Sequence, residues 1–290
     1  MSFQTLVNGI STGTVYALIA IGFALVFNIL KFSNFSYGAT MTVSAFIAYF
    51  LVASKGWGLF PTLVCSALAG ALISLIGEFV GFRRILKNHS SSTYFFVSSI
   101  TLGTLYEGII TLKTGTNFYV YPNFFKESSV SLLGAVVSKE NIIMLVISIL
   151  ALATLAFILQ KTSIGRAIRA VSFDRDTAQL MGINATLVIQ VVFAISGVFG
   201  GLAGCFLGIK YTLTSTLGSL VVKGFIASVI GGLGSLTGAV IGAMLLGIME
   251  AFFLSTIGSG WATIASFAVM LLFLLVRPQG IAGSNVQEKA

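Results

Sequence analysis

Charged side chains are rare in this chain, and many of them lie in one short segment. Residues 161–184 read KTSIGRAIRAVSFDRDTAQLMGIN and carry six charged residues, whereas the whole chain of 290 residues has 16 basic and eight acidic ones. Mixed charges beside apolar residues can bind a groove on another protein. Groups for catalysis are scarce elsewhere, since His89 is the one histidine and the sequence has no Ser/His/Asp set, metal-ligand cluster or phosphate-binding loop. The chain is therefore not predicted to be an enzyme, and no cofactor or metal is expected.

The elements that must position this segment are membrane helices. The chain is 57% hydrophobic and 8% charged, with a mean hydropathy of +1.03, whereas soluble domains carry about 25% charged residues. Apolar runs long enough to cross a bilayer recur from end to end. The net charge of +8 is attributed to loops and not to nucleic-acid binding, because no basic stripe with interleaved aromatic residues accompanies it. The predicted fold class is an all-α integral membrane protein with about eight to nine transmembrane helices, some of them broken or re-entrant, in one domain over residues 1–290.

Nine apolar blocks are predicted to cross the membrane, although the block at 221–234 is short enough to be re-entrant. All six arginines lie in three places, at 83–84, 166–175 and 277. Basic loops stay in the cytoplasm. This distribution predicts an outside N-terminus, a cytoplasmic C-terminus and a cytoplasmic position for residues 161–184.

This charged segment is predicted to form two short helices. Ser163 is predicted to cap the first, which has an apolar edge that includes Ile168. Asp174 is predicted to cap the second, Asp176 lies in its first turn, and Gly182 follows its end. A basic helix lying on anionic lipid is the alternative, but the acidic residues favour docking into a protein groove.

Two further stretches are candidates for lining a pathway. The run FNILKFSNFSYGAT at 27–40 lies between the first two apolar blocks, either as a simple loop or as an irregular passage that forms a gate. The run GGLGS at 231–235 joins two blocks, and its glycines permit a break in a helix. The candidates are Asn34, Ser36, Tyr37 and Gly38 in the first run, and Gly231, Gly232, Gly234 and Ser235 in the second.

Three acidic residues, Glu78, Glu107 and Glu250, lie in or at the edge of apolar blocks. Intramembrane carboxylates are costly and often functional, so a direct role such as proton coupling stays open for each. Glu78 and Glu250, which lie near block ends, are expected to reach water or lipid headgroups. They also end two matching stretches, GALISLIGE at 70–78 and GAMLLGIME at 242–250. The match predicts an inverted repeat, with chance similarity as the alternative.

The quoted motifs resemble a known family. GRAIRAVSFDRDTAQLMGIN resembles the cytoplasmic coupling segment of LivH-type permeases of branched-chain amino acid ABC transporters, where the pattern is roughly G-R-A-x-R-A-x-x-x-D-x-x-x-A-x-x-x-G-I-N. GISTGTVYALIAIGFALVFNILKFSNFSYG, VIGGLGSLTGAVIGAMLLGIMEA and LLVRPQGI are also similar to this family, so the resemblance covers nearly the whole chain. One departure lies at 34–38, where the family commonly has Asn-Phe-Ala-His-Gly and this chain has Asn-Phe-Ser-Tyr-Gly.

The resemblance implies the permease subunit of an ATP-driven importer for branched-chain or other small neutral amino acids, in the bacterial inner membrane. It implies as partners two cytoplasmic ATPase subunits that hydrolyse the ATP, a second related permease, an extracytoplasmic binding protein and the lipid bilayer, and no nucleic acid. The residues expected to couple to the ATPase are Gly165, Arg166, Ile168, Arg169, Asp174, Arg175, Asp176, Leu180, Met181 and Gly182.

Three alternatives stay open at the level of the sequence. Sister permeases for urea or short amides share the scaffold, so the resemblance specifies the class of transporter more closely than it specifies the substrate. A self-sufficient ion-coupled carrier would need one of the intramembrane acids and no ATPase. A structural membrane scaffold would have no pathway of its own.

Overall fold

The computed structural model describes residues 3–88, 91–124, 129–132, 135–277 and 279–282, so that His89 lies outside the described residues. Within the described residues the chain is almost entirely helical. The helices are α1 (Phe3–Leu30), α2 (Ser36–Lys55), α3 (Leu59–Gly77), α4 (Arg83–Lys87), α5 (Ser92–Thr114), α6 (Lys139–Lys161), α7 (Ser163–Phe173), α8 (Arg175–Leu180), α9 (Ala185–Lys210), α10 (Val221–Gly231), α11 (Leu236–Ile257) and α12 (Ser259–Val276). A short antiparallel hairpin, which the sequence pattern did not predict, precedes α6 and consists of β1 (Ser129–Leu132) and β2 (Ala135–Ser138).

Eight helices among the described residues are long and apolar enough to cross a membrane. The third of these spans runs from α3 through a π-helical turn, Glu78–Phe82, into α4. Helix α10 has only 11 residues, which is about 16 Å at 1.5 Å per residue, against roughly 30 Å of hydrocarbon. The eight long spans agree with the eight to nine predicted, and the block at 221–234 contains a shorter apolar helix, the alternative that the sequence analysis gave for it.

Contacts divide the chain into two compact units. The first unit comprises Met1–Ala24, Phe125–Ile149 and Val222–Ala290, and the second comprises Leu25–Phe124 and Leu150–Val221. The boundaries after Ala24 and Ile149 fall inside helices, so α1 and α6 each contribute one end to each unit.

Helices α3 and α9 form the core of the second unit. They run antiparallel, and their backbones come into contact at glycine residues. A Cβ on Gly70 would lie 2.1 Å from Gly197 O, and a Cβ on Gly201 would lie 2.1 Å from Ser66 O. Ser66 Oγ donates to Gly201 O at 2.7 Å. Small residues permit this close approach, which is a main source of helix association in membranes.

Helices α2 and α5 pack around this core. A Cβ on Gly204 of α9 would lie 2.4 Å from Met41 O of α2. Helix α5 contacts α2, where a Cβ on Gly103 would lie 3.4 Å from Ser36 Cα. Close packing therefore continues from α9 through α2 to α5.

The first unit is built in the same way from α1, α10 and α11. A Cβ on Gly13 of α1 would lie 3.0 Å from Met244 Cα of α11, and a Cβ on Gly242 of α11 would lie 2.2 Å from Ala227 O of α10. Glycines therefore permit close approach of the helix backbones in this unit as well.

Candidate functional site

The charged segment, residues 161–184, folds into the two short helices α7 and α8. Helix α7 begins after Thr162, whose Oγ1 accepts a hydrogen bond from Gly165 N–H at 3.2 Å. Thr162 has the extended backbone of an N-cap residue. The prediction that Ser163 is the N-cap is therefore wrong by one position, because Ser163 already lies inside the helix.

The inner face of α7 packs on the chain itself. Ile168 and Val171 are 3% and 2% exposed, and α7 contacts α9. Gly165 lies so close to the end of α6 that a Cβ would be 2.2 Å from Leu159 O. The expectation that Ile168 contacts the ATPase is wrong, since a partner cannot reach a side chain that is already buried.

The outer surface of the segment carries large apolar side chains. Leu180 is 88% exposed and Met181 is 80% exposed, as the sequence analysis predicts for docking residues. Phe173, which the sequence analysis missed, is 94% exposed at the end of α7. The available signal was an aromatic residue placed directly before the Asp174 cap. Phe173, Leu180 and Met181 are called the exposed apolar residues below.

The three arginines of the segment differ in their contacts. Arg169 Nη1 donates to Leu159 O, and Arg175 Nη1 donates to Leu86 O at 3.3 Å. Both therefore hold the segment against its own chain. Arg166 is exposed, as is Asp176 in the first turn of α8.

Gly182 ends α8, as predicted. Its φ is +83°, a backbone conformation that favours glycine. Its N–H donates to Gln179 O at 2.9 Å, and Ile183 N–H donates to Ala178 O at 3.1 Å. This pair of bonds is the Schellman motif, which satisfies the last carbonyl groups of a helix.

Asp174 caps α8, as predicted. Its Oδ1 accepts from Asp176 N–H at 2.9 Å and from Thr177 N–H at 3.1 Å, and its Oδ2 accepts from Thr177 Oγ1 at 2.8 Å. The backbone and side-chain hydrogen bonds from Thr177, with the bond from Asp176, lower the pKa of Asp174 below its usual 3.8.

We expect this cap to fail in acid. Because the pKa of Asp174 is lower in the folded state, its stabilisation is complete above pH 3.8 and is lost as the pH falls through the folded value. Hydrogen exchange of the α8 amides should therefore accelerate in acid relative to Asp174→Asn, whose side chain caps a helix without titrating. If the exchange rates of the α8 amides change with pH in the same way in both proteins, the Asp174 carboxylate does not hold the helix start.

The candidates at 34–38 lie at a deep helix break. Helix α1 ends at Leu30, and α2 begins at Ser36. The break packs near the middle of α5, where Phe35 N–H donates to Ser99 Oγ at 3.3 Å. The Tyr37 ring lies close to Gly200, near the middle of α9. The run is therefore an irregular break packed among helices and not a simple loop, and its role as a gate stays a prediction.

Polar groups at this break are buried. Asn34 is 5% exposed, and its Oδ1 accepts from Ser36 Oγ at 2.7 Å. The buried Tyr37 hydroxyl has no hydrogen-bond partner among the described residues. Gly38 lies so close to the 3-10 turn before α10 that a Cβ would be 2.3 Å from Gly218 O.

The run GGLGS at 231–235 forms a tight turn between α10 and α11. Gly232 and Gly234 have φ of +104° and +87°, and Ser235 Oγ accepts from Gly238 N–H at 3.1 Å to cap α11. A Cβ on Gly231 would lie 2.1 Å from Gly238 O. Ala282 also binds this turn, since its N–H donates to Gly231 O at 2.9 Å.

Glu78 is paired inside the protein. It lies in the π-helical turn, is 0% exposed and accepts from Arg83 Nη2 at 2.7 Å and Arg83 Nε at 3.2 Å. This two-bond geometry is the strongest form of carboxylate recognition by arginine. The expectation that Glu78 reaches water or a lipid headgroup is wrong, because the turn directs it inward to Arg83.

Glu250 is paired as well, within the first unit. Its Oε1 contacts Lys223 Nζ, and its Oε2 accepts from Tyr16 OH at 2.9 Å. Lys223 Nζ also donates to Tyr16 OH at 3.0 Å. Glu250 therefore has protein partners, although 16% of its side chain is exposed. Lys223 is thus the partner of this acid inside the fold.

Glu107 differs from the other two acids. Its side chain is exposed on α5 and has no ion-pair partner among the described residues. The structure therefore brings Glu78 and Glu250 to basic partners and leaves Glu107 at the surface.

Comparisons with known proteins agree on one family. Residues 5–275 match the family described as branched-chain amino acid transport system / permease component. The chain is 32% identical to the high-affinity branched-chain amino acid transport system permease protein BraD of Pseudomonas aeruginosa, over 99% of this chain and 97% of that protein. It is 30% identical to the corresponding permease LivH of Escherichia coli K12, with the same coverage.

More distant similarity extends beyond amino acid permeases. The ribose import permease protein RbsC of Haemophilus influenzae is 27% identical over 94% of this chain and 85% of that protein. The fold is shared with a solved structure, PsaBC from Streptococcus pneumoniae in complex with Fab, at a TM-score of 0.53 and 14% identity, covering 96% of this chain and 94% of that chain.

Proposed function

The chain belongs to the family of permease components of branched-chain amino acid transport systems, and from this premise we propose that it carries branched-chain amino acids in an ATP-driven importer. It is a multi-pass membrane transport protein and not an enzyme, and it works in an ABC transporter complex with other subunits.

The observation that carries the proposed coupling to ATP is the shape of the charged segment. Its two helices are capped at Thr162 and Asp174 and fixed to the chain by Arg169 and Arg175. The exposed apolar residues remain uncovered on the outside. A fixed element with uncovered apolar anchors is suited to dock in a groove of an ATPase subunit.

The helices next to the segment supply a route for the motion. Helix α9 begins at Ala185, immediately after the segment, and α7 packs on it. Helix α9 in turn contacts α3 backbone to backbone at Gly70 and Gly197. Rigid, closely packed elements transmit displacement, so ATP-driven movement of the segment would shift α9 and α3 together.

The full assembly follows from this proposal. Two ATPase subunits bind the charged segments, a second related permease completes the pathway, and an extracytoplasmic binding protein delivers the amino acid. The protein lies in a bacterial inner membrane with its N-terminus outside and its C-terminus in the cytoplasm. This orientation requires the segment at 217–231 to complete a crossing despite its short helix.

Replacement of Phe173, Leu180 and Met181 together by serine is expected to lower recovery of the ATPase by about tenfold or more, because apolar anchors supply most of the free energy of an interface. The measurement is affinity purification of the permease from detergent-solubilised membranes, with the ATPase quantified by mass spectrometry. ATP-dependent leucine uptake into vesicles should fall in parallel.

Val276→Ser is the matched control, since Val276 is also an apolar residue, 86% exposed, at the end of a helix outside the segment. It should retain the ATPase. Normal ATPase recovery and normal uptake by the triple variant would contradict the docking role. Uptake of urea but not of leucine by the wild-type transporter would contradict the proposed substrate.

A further inference from the structure

The surface of α5 that faces away from the protein is divided into two edges of different chemistry. Helix α5 packs inward through side chains that include Phe95, Ser99, Leu102 and Ile110. One outward edge is polar and contains Thr101, Thr104, Glu107, Gly108 and Thr111, which lie on one helix face, with Glu107 and Gly108 adjacent. The next edge is apolar and contains Leu105, Ile109 and Leu112, which are 54%, 44% and 89% exposed.

The polar edge lies level with the central part of the neighbouring span. Tyr106, the residue before Glu107, donates its hydroxyl to Ile73 O at 3.3 Å. Ile73 is the midpoint of the 29-residue span Leu59–Lys87. Glu107 therefore lies beside the central part of the neighbouring span and seven residues before the end of α5, within the apolar length of both helices.

The threonines alone do not identify what this edge faces. Thr101, Thr104 and Thr111 donate their hydroxyls to Val97 O, Ile100 O and Glu107 O at 3.0, 3.0 and 2.8 Å. A hydroxyl bonded to its own helix is tolerated beside lipid. Glu107 decides the question, because a carboxylate at this depth without a partner is strongly disfavoured in hydrocarbon and is found facing water or protein.

We propose that this polar edge of α5 lines the water-filled translocation pathway, and that Glu107 receives the ammonium group of the transported amino acid. The carboxylate is complementary to that ammonium group. Gly108 is on the same edge, and a Cβ there would meet no atom within 4 Å, so solute has room beside Glu107. The apolar edge with Leu105 and Ile109 then faces lipid. The identity of the solute rests on the proposed function, whereas the contact with water does not.

Adjacent residues give matched pairs for a test by cysteine labelling in the assembled transporter. Cys65 and Cys205 are first replaced by alanine, and uptake by this background is verified. Thr104→Cys is compared with Leu105→Cys, and Gly108→Cys with Ile109→Cys, using a membrane-impermeant cationic thiol reagent. We expect the cysteines of the polar edge to react at least about tenfold faster than their neighbours on the apolar edge. We also expect leucine to slow the labelling of the polar-edge cysteines.

Each other outcome overturns a defined part of the proposal. Equal, slow labelling of both members of each pair means that the edge faces lipid. Slow labelling with ready cross-linking to the second permease means that it is a subunit contact. Fast labelling that leucine does not slow upholds the pathway and overturns the ammonium contact. Failure of the unmodified transporter to import leucine overturns the proposed function instead, since the labelling pattern does not depend on it.

The role of Glu107 itself is tested by kinetics. Glu107→Gln should raise the KM for leucine about tenfold, the loss of one charge-assisted hydrogen bond, and Glu107→Asp should recover part of it. The ATPase should copurify with both variants in normal amounts. An unchanged KM in Glu107→Gln would overturn the ammonium contact.

Discussion

Glu250→Gln is expected to lower the free energy of unfolding by about 3 kcal/mol, because it leaves a charged lysine unpaired inside the protein. In the native protein, Lys223 contacts both Glu250 and the hydroxyl of Tyr16. The side chains of Lys223 and Glu250 are only 12% and 16% exposed. Solvent therefore replaces the lost carboxylate only in part. The measurement is the thermal midpoint of the purified protein in detergent, with the folded fraction followed by size-exclusion chromatography.

The physical reason for this pair is the length of α10. Lys223 is the third residue of a helix of 11 residues, which is too short to cross the bilayer. The start of α10 is therefore held within the protein, and an ammonium group there needs a partner of opposite charge. Glu250 on α11 supplies it, and Tyr16 on α1 hydrogen-bonds to both.

A double variant separates the ion pair from general damage to the helix. Lys223→Met with Glu250→Leu removes both charges and keeps the approximate volumes, and apolar replacements of this kind are often neutral. We expect the double variant to recover most of the stability lost by Glu250→Gln. A thermal midpoint unchanged in Glu250→Gln would show that the ion pair does not stabilise α10.

Gly70→Ala is expected to cost about 3 kcal/mol of stability, although it adds only one methyl group. The new Cβ would lie 2.1 Å from Gly197 O and 2.9 Å from Gly201 N. These are backbone atoms, so the contact is relieved only if α3 and α9 move apart. Separation of the helices would also lengthen the hydrogen bond from Ser66 Oγ to Gly201 O, now 2.7 Å. Overpacking of a packed core typically costs about 1–3 kcal/mol of stability, and we expect the upper part of that range at this site.

Gly260→Ala is the matched control for this change. Gly260 lies in α12, and a Cβ there meets no atom within 4 Å. Alanine should leave stability unchanged or raise it slightly, because it favours the helix more than glycine does. The two variants are compared by yield of monodisperse protein and by thermal midpoint. Equal midpoints would mean that the contact between α3 and α9 adjusts without cost.

The charged segment was the part of the fold best determined by the sequence. The Asp174 cap, the position of Gly182 and the exposure of Leu180 and Met181 all follow from local chemistry. Caps and C-terminal glycines act within one helical turn, so residues near in sequence suffice to predict them. Family motifs along the whole chain gave the class of transporter.

The partners of the intramembrane charges were decided only by tertiary structure. The sequence identified Glu78 and Glu250 as acids in apolar blocks, but it did not show that Arg83 and Lys223 bind them. Lys223 lies 27 residues before Glu250 in the chain. Pairing over such a distance depends on how helices pack, which no local pattern records.

Which face of each helix points into the protein was also decided only by the tertiary structure. In a soluble helix, polar residues mark the outside and apolar residues mark the core. A membrane span is apolar on both sides, because lipid and the protein interior are equally apolar. Hydropathy therefore located the spans. Only the packed structure shows that Gly70 contacts Gly197 and that Ile168 points inward. It also shows that Glu107 lies on the outer face of α5.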